Sequence, residues 1–171
     1  FQLEEGQSAN AYTMLQNADF SWGTHGHQEE SDDNTMPTGW TAVDCDPGGS
    51  DGRIEGSGLT TTYGFSIAGD RTKIKQIYQE VMINKPASNL AFSATCKAQG
   101  SSLPNLLIPR TFGFRLRFYL KDQNNQQTVE LSDFISFNTD TEALQTTTKA
   151  IRVSEGNQDK TLVKVEFILE Y

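Results

Sequence analysis

The chain is poor in most of the features that announce a function. It holds two histidines and two cysteines in 171 residues, too few for a disulfide framework. No G-x-S-x-G, P-loop, G-x-G-x-x-G or H-E-x-x-H string occurs, which removes the common signatures of hydrolase, nucleotide and zinc-protease chemistry. No apolar run approaches the ~18 residues of a membrane span, and no leader pattern is present. Membrane insertion is therefore not expected, and the chain reads as one soluble module, residues 1–171, cut from a longer protein. Internal repeats and low-complexity segments are also missing.

Positive charge is scarce where negative charge is dense. Residues 1–55 hold eleven acidic groups and one basic group, Arg53, whereas residues 56–171 hold eleven acidic and thirteen basic. The two parts carry −10 and +2. An acidic first third disfavours nucleic acid, because phosphate binding requires a basic surface. It leaves a solvated acidic loop or a cation site.

What the chain does have is strand periodicity. Phe114, Leu116, Phe118 and Leu120 alternate with Arg115, Arg117 and Tyr119, giving one apolar face and one polar-aromatic face. Val163, Val165, Phe167 and Leu169 alternate with Lys164, Glu166, Ile168 and Glu170, and Phe92, Ala94 and Cys96 oppose Ser93, Thr95 and Lys97. Residues 73–83 read as a long strand whose register changes between Ile74 and Ile77, the mark of a bulge or an edge. Shorter strands are expected at residues 128–131, 134–137 and 150–153, with polar turns between them. Residues 141–148 read as a loop, and the Gly-, Ser-, Asp- and Thr-rich residues 21–62 as a long loop region of the kind that tends to carry function. The pattern predicts an all-β, antiparallel two-sheet β-sandwich. Its expected core is Phe20, Trp40, Ile77, Val81, Phe92, Ala94, Cys96, Phe114, Leu116, Phe118, Leu131, Val153, Val165, Phe167 and Leu169. Cys45 and Cys96 read as two free thiols, with a mutual disulfide as the alternative.

Several short motifs carry a resemblance. Asn17-Ala18-Asp19-Phe20 followed by Thr38-Gly39-Trp40, the run Ile77-Tyr78-Gln79-Glu80-Val81, and Leu90-Ala91-Phe92-Ser93-Ala94 resemble the opening and a strand pair of carbohydrate-binding-type jelly-roll modules with a galactose-binding-like fold. Phe1-Gln2-Leu3-Glu4-Glu5-Gly6-Gln7 with Asn10-Ala11-Tyr12 resembles the junction between such modules in YD-repeat (Rhs-type) surface proteins of Gram-positive bacteria. The resemblance implies an extracellular or cell-wall-associated setting, neighbouring modules of the same chain as partners, and a polysaccharide or cell-wall glycan as ligand. It makes residues 1–12 a junction, with residues 1–5 filling a vacant strand position in a sheet. Ser21 stands where the family carries a glutamate that contributes to a structural calcium site, so the resemblance implies a module without that metal and without a cofactor.

Candidate sites follow from residue type. Sugar rings stack on exposed aromatics while amides and charged groups bond their hydroxyls, which points to Trp22 in the polar loop and to Tyr119 beside Arg115 and Arg117, bordered by Tyr63 and Tyr78. A groove lined by these residues would favour sugar; a flat, charged sheet face would favour a structural spacer or adhesion module contacting protein. The stretch from Asp44 to Glu55 partly imitates a calcium loop, with Asp44, Asp46 and Glu55 at the first, third and twelfth positions, although Gly48 offers no side-chain ligand and Asp51 replaces an apolar residue. The competing reading is an acidic glycine turn. His25 and His27 beside Glu29, Glu30, Asp32 and Asp33 could ligate a transition metal, but their place in one polar loop favours solvation. Glu130, Asp133, Glu166 and Glu170 form no paired-carboxylate motif of the glycosidase kind, so no catalysis is expected.

Overall fold

The computed structural model describes residues 2–5, 13–21, 36–46, 50–55, 63–69, 72–98, 111–138 and 143–171. Among them the strands are β1 (Gln2–Glu5), β2 (Thr41–Val43), β3 (Gly52–Glu55), β4 (Tyr63–Ser66), β5 (Gln76–Pro86), β6 (Ala91–Ala98), β7 (Phe112–Lys121), β8 (Gln127–Leu131), β9 (Ile135–Phe137), β10 (Gln145–Arg152) and β11 (Thr161–Glu170). All pairings are antiparallel. The larger sheet runs β2-β5-β11-β7-β8, with β9 also on β7; the smaller runs β1-β6-β10; β3 and β4 form a separate hairpin.

The two main sheets meet through the apolar faces that alternation selects. Phe114, Leu116, Phe118 and Leu120 from β7 and Val165, Phe167 and Leu169 from β11 face Leu3, Phe92, Ala94 and Cys96 of the smaller sheet, all of them buried. Phe92 and Phe118 touch across the gap with ring centroids 6.0 Å apart. This packing confirms an antiparallel β-sandwich.

Residues 2–5 form an outer strand of the smaller sheet. β1 lies beside β6, with Leu3 opposite Ala94, and is held on its other side by Met14 N–H donating to the Leu3 carbonyl at 2.6 Å and by the Leu3 N–H donating to Thr13 Oγ1 at 3.1 Å. Leu3 is fully buried.

The motif Asn17–Phe20 with Thr38–Trp40 is a structural clasp. Trp40 Nε1 donates to the Asn17 carbonyl at 3.2 Å, Asn17 Nδ2 donates to the Thr38 carbonyl at 3.1 Å, and the Phe20 and Trp40 rings meet edge to face at 5.0 Å. Gly39 holds φ +87°, a left-handed conformation that favours glycine. Gln79 then ties both segments to β5, donating to the carbonyls of Gln16 (2.9 Å) and Gly39 (3.0 Å) and accepting from the Gln16 N–H at 2.6 Å.

Four expectations need correction. Leu131 is not core but 47% exposed, because its register opposite Arg117 puts it on the outer face. Ile74 precedes β5 and is exposed; the irregularity lies at the strand's far end, where Ile83 and Asn84 face the single residue Val163, with Asn84 at φ +53°. Residues 145–148, expected in a loop, open β10, which pairs with β6 along its full length. Val81 is half-buried at the core margin rather than enclosed.

These placements predict that Leu116→Ala costs about 2–5 kcal/mol in urea unfolding, while Leu131→Ala changes stability by no more than about 0.5 kcal/mol.

Candidate functional site

The outer face of the larger sheet gathers most of the residues expected to bind. Cross-strand register places Glu80, Glu166, Arg117 and Leu131 in one row, Met82, Lys164, Tyr119 and Val129 in the next, and Tyr78, Ile168 and Arg115 in a third. Arg115, Arg117 and Tyr119 therefore stand together on β7, with Tyr78 two strands away on the same face. Tyr63 does not join them: it lies on β4 and packs half-buried against the core. Trp22 lies outside the described residues, as do His25, His27, Glu29, Glu30, Asp32 and Asp33.

Six charged groups of this face are paired with one another, while Lys121 at the end of β7 has no carboxylate partner among the described residues. Arg117 Nη1 reaches Glu166 Oε2 at 2.8 Å, and Arg115 grips Glu170 with Nε at 3.2 Å and with Nη2. Lys164 bonds Glu80, sits 3.3 Å from Glu166, and lies 4.1 Å from the centroid of the Tyr119 ring, a cation–π contact. Gln76 Nε2 donates to Glu170 at 2.7 Å, and the Arg115 guanidinium covers Phe134 at 5.5 Å. Three acids thus meet three bases.

The electrostatics follow from these contacts. The Lys164 ammonium bonded to Glu80 holds that carboxyl below its ordinary range. Burial alone would lower Lys164 and Arg117, but hydrogen bonds outweigh it, from Glu80 and Glu166 for Lys164 and from Tyr119 and Glu166 for Arg117, and both are raised. Tyr119 is raised by burial and then by Glu166. Around the ladder Val43, Met82, Val129 and Leu131 are exposed, whereas Ile168 beneath it is fully covered. Alternation identified Arg115, Arg117 and Tyr119; it gave no sign that Glu166, Glu170 and Lys164 would neutralise them, since that depends on which strands become neighbours.

The acidic loop is organised by a lysine. Asp51 is fully buried and Lys75 is 5% exposed. Lys75 Nζ lies 2.9 and 2.7 Å from the two Asp51 oxygens, which also accept the backbone N–H groups of Asp46 and Ala68, each at 2.7 Å. Asp44 and Asp46 are exposed, and the Glu55 side chain lies outside the described residues. No group of three or more His, Cys, Asp or Glu able to hold a metal occurs among the described residues. The position that departs from a calcium loop, Asp51, is the one that fastens this segment.

Glu130 is likewise structural. It accepts from the Ser154 N–H (2.7 Å), Ser154 Oγ (2.8 Å) and Asn157 Nδ2 (2.6 Å). Both cysteines are free thiols; burial pushes Cys45 up to about 11 and Cys96 further, leaving little thiolate at neutral pH.

Two clefts border the sheets, the first of them at the β5 side of the ladder. One, of about 630 Å³, is lined by Met14, Gln16, Tyr78, Glu80 and Met82 among others. The second, of about 750 Å³, opens between residues 130–136 and β10.

Asp51→Asn, which strands the Lys75 ammonium, is expected to cost about 3–5 kcal/mol at pH 7. Burial would raise the Asp51 carboxyl, but the Lys75 bond and the two amides lower it overall. Its contribution is therefore complete above the unfolded value near ~4 and is lost as pH falls through the lower folded value. Urea midpoints of wild type and variant should converge as pH is lowered from 5 toward 2. Neither a protein-family profile nor a curated protein matches the chain.

Proposed function

We propose that this chain is a non-catalytic spacer or adhesion module that makes protein–protein contacts within a bacterial cell-surface or secreted protein. The observation that carries the reading is the self-neutralised ladder on the outer sheet face. A sugar stacking on Tyr119 would have to displace Lys164, and hydrogen bonds to Arg115 or Arg117 would compete with Glu170 and Glu166. A patch of paired charges rimmed by exposed Val43, Met82, Val129 and Leu131 suits contact with another protein, where apolar side chains supply area and ion pairs already formed leave few unpaired charges to bury. The YD-repeat resemblance, an extracellular setting and a jelly-roll arrangement of the strands belong to this same proposal.

Carbohydrate binding is the second reading, and one feature favours it. Tyr78 lines the open cleft beside Gln16 and Glu80, a mixture of aromatic and hydrogen-bonding groups that suits a sugar ring. A glycan array run with wild type, Tyr78→Ala and Tyr119→Ala separates the two. The contact reading expects no glycan signal that depends on either tyrosine. A glycan whose binding falls tenfold or more in either variant would overturn it.

A further inference from the structure

β10 is an edge strand with an open side. All eight of its residues pair with β6, and among the described residues nothing pairs with its other edge. An eight-residue strand without proline or bulge, rich in threonine, presents a ready template for another strand. Its two ends are framed. At the start Gln145 exchanges side-chain bonds with the Asn138 backbone, at 3.0 and 2.6 Å; just past the end Ser154 is held by Glu130. Between these crossings runs Thr146–Arg152, whose second half, Lys149–Arg152, borders the cleft of about 750 Å³ whose far wall includes Phe134 and Ile135. Seven residues of bare edge are about 23 Å long.

Charge selects what fits there. β10 carries Lys149 and Arg152 and no acid. Both are exposed, and neither has a carboxylate partner among the described residues, in contrast to Arg115, Arg117 and Lys164 on the sheet face. Two copies of such a strand would repel each other, since like charges opposite one another destabilise a strand pair. The same residues favour an acidic strand. Lys149 and Arg152 are three apart, so they project from opposite faces of the strand, and acids directly opposite them must also be three apart.

We propose that the open edge of β10 accepts an extended acidic segment of a partner protein as an added strand, with carboxylates spaced Glu-x-x-Glu opposite Lys149 and Arg152. The proposal rests on the protein-contact reading and specifies the surface and the partner's chemistry. Backbone hydrogen bonds along Thr146–Arg152 supply the attachment. Ile151 and the Phe134–Ile135 wall receive the partner's apolar side chains, and the two cations fix register.

The test uses the whole chain and the capped peptide acetyl-Val-Thr-Glu-Val-Thr-Glu-Val-Thr-amide, with amide hydrogen exchange read by NMR. At saturating peptide the amides of Thr146–Arg152 that point away from β6, every second residue, should exchange at least tenfold more slowly, and a peptide with both glutamates replaced by lysine should have no effect. Lys149→Glu combined with Arg152→Glu, with an unchanged melting temperature as the check on folding, should lose this protection and acquire it from the lysine peptide. Absence of β10 protection at millimolar peptide overturns the proposal. Peptide binding that perturbs Val129 and Leu131 instead overturns the edge site while leaving the protein-contact reading standing. Binding of an oligogalacturonide in the cleft, dependent on Lys149 and Arg152 and without β10 amide protection, overturns both.

Discussion

The structure depends on how β11 is covered. This strand lies between β5 and β7 along its length, and from Val165 to Glu170 every residue is buried. One face delivers Val165, Phe167 and Leu169 to the core; the other carries Glu166, Ile168 and Glu170, over which no second sheet lies among the described residues. Two carboxylates with so little solvent need fixed cations. β7 supplies Arg115 and Arg117, whose aliphatic stems also shield the sheet. The ladder is thus the consequence of placing acids at the centre of a wide sheet, and the same pairing that makes the strand tolerable gives Arg115, Arg117 and Tyr119 partners within the sheet.

A second ion pair joins Asp51, in the acidic first third, to buried Lys75. Asp51 is buried and accepts four hydrogen bonds, two from the Lys75 ammonium and one each from the backbone N–H groups of Asp46 and Ala68, so these segments are tied to a lysine on the approach to β5. Elsewhere acids are handled individually: Glu130 caps the Ser154–Asn157 turn, and Asp19 accepts from both the N–H and Oγ of Ser21. These three acids hold local structure.

Much of the fold was legible because side-chain alternation is a local signal. β7 and β6 could be read residue by residue and β11 from Val165 onward, and the apolar residues of their inward faces are core; at the start of β11 the irregularity at Val163 puts Leu162 in the core in place of Val163. Leu131 failed because a single leucine in a short strand has no pattern to assign its face; the pairing with Arg117 assigns it. Residues 145–148 failed because threonines lack an apolar face, although they suit an edge. The motif Asn17–Phe20 with Gly39–Trp40 was visible, and its meaning is mechanical: an indole N–H, an asparagine carbonyl and a left-handed glycine lock two loops to Gln79. The candidate site was half legible. Arg115, Arg117 and Tyr119 were found together, but their neutralisation by Glu166, Glu170 and Lys164 required knowing that β11 lies beside β7, a pairing of residues some fifty positions apart.

The most direct test of the ladder as structure rather than ligand site is a double-mutant cycle on Arg117 and Glu166, read by urea unfolding. If the pair holds β11 in place, Arg117→Ala alone costs about 2 kcal/mol or more, because Glu166 stays buried without its guanidinium. Arg117→Ala with Glu166→Ala should then cost less than the sum of the single changes by at least about 1 kcal/mol. Additive costs, or an Arg117→Ala protein as stable as wild type, would contradict the account.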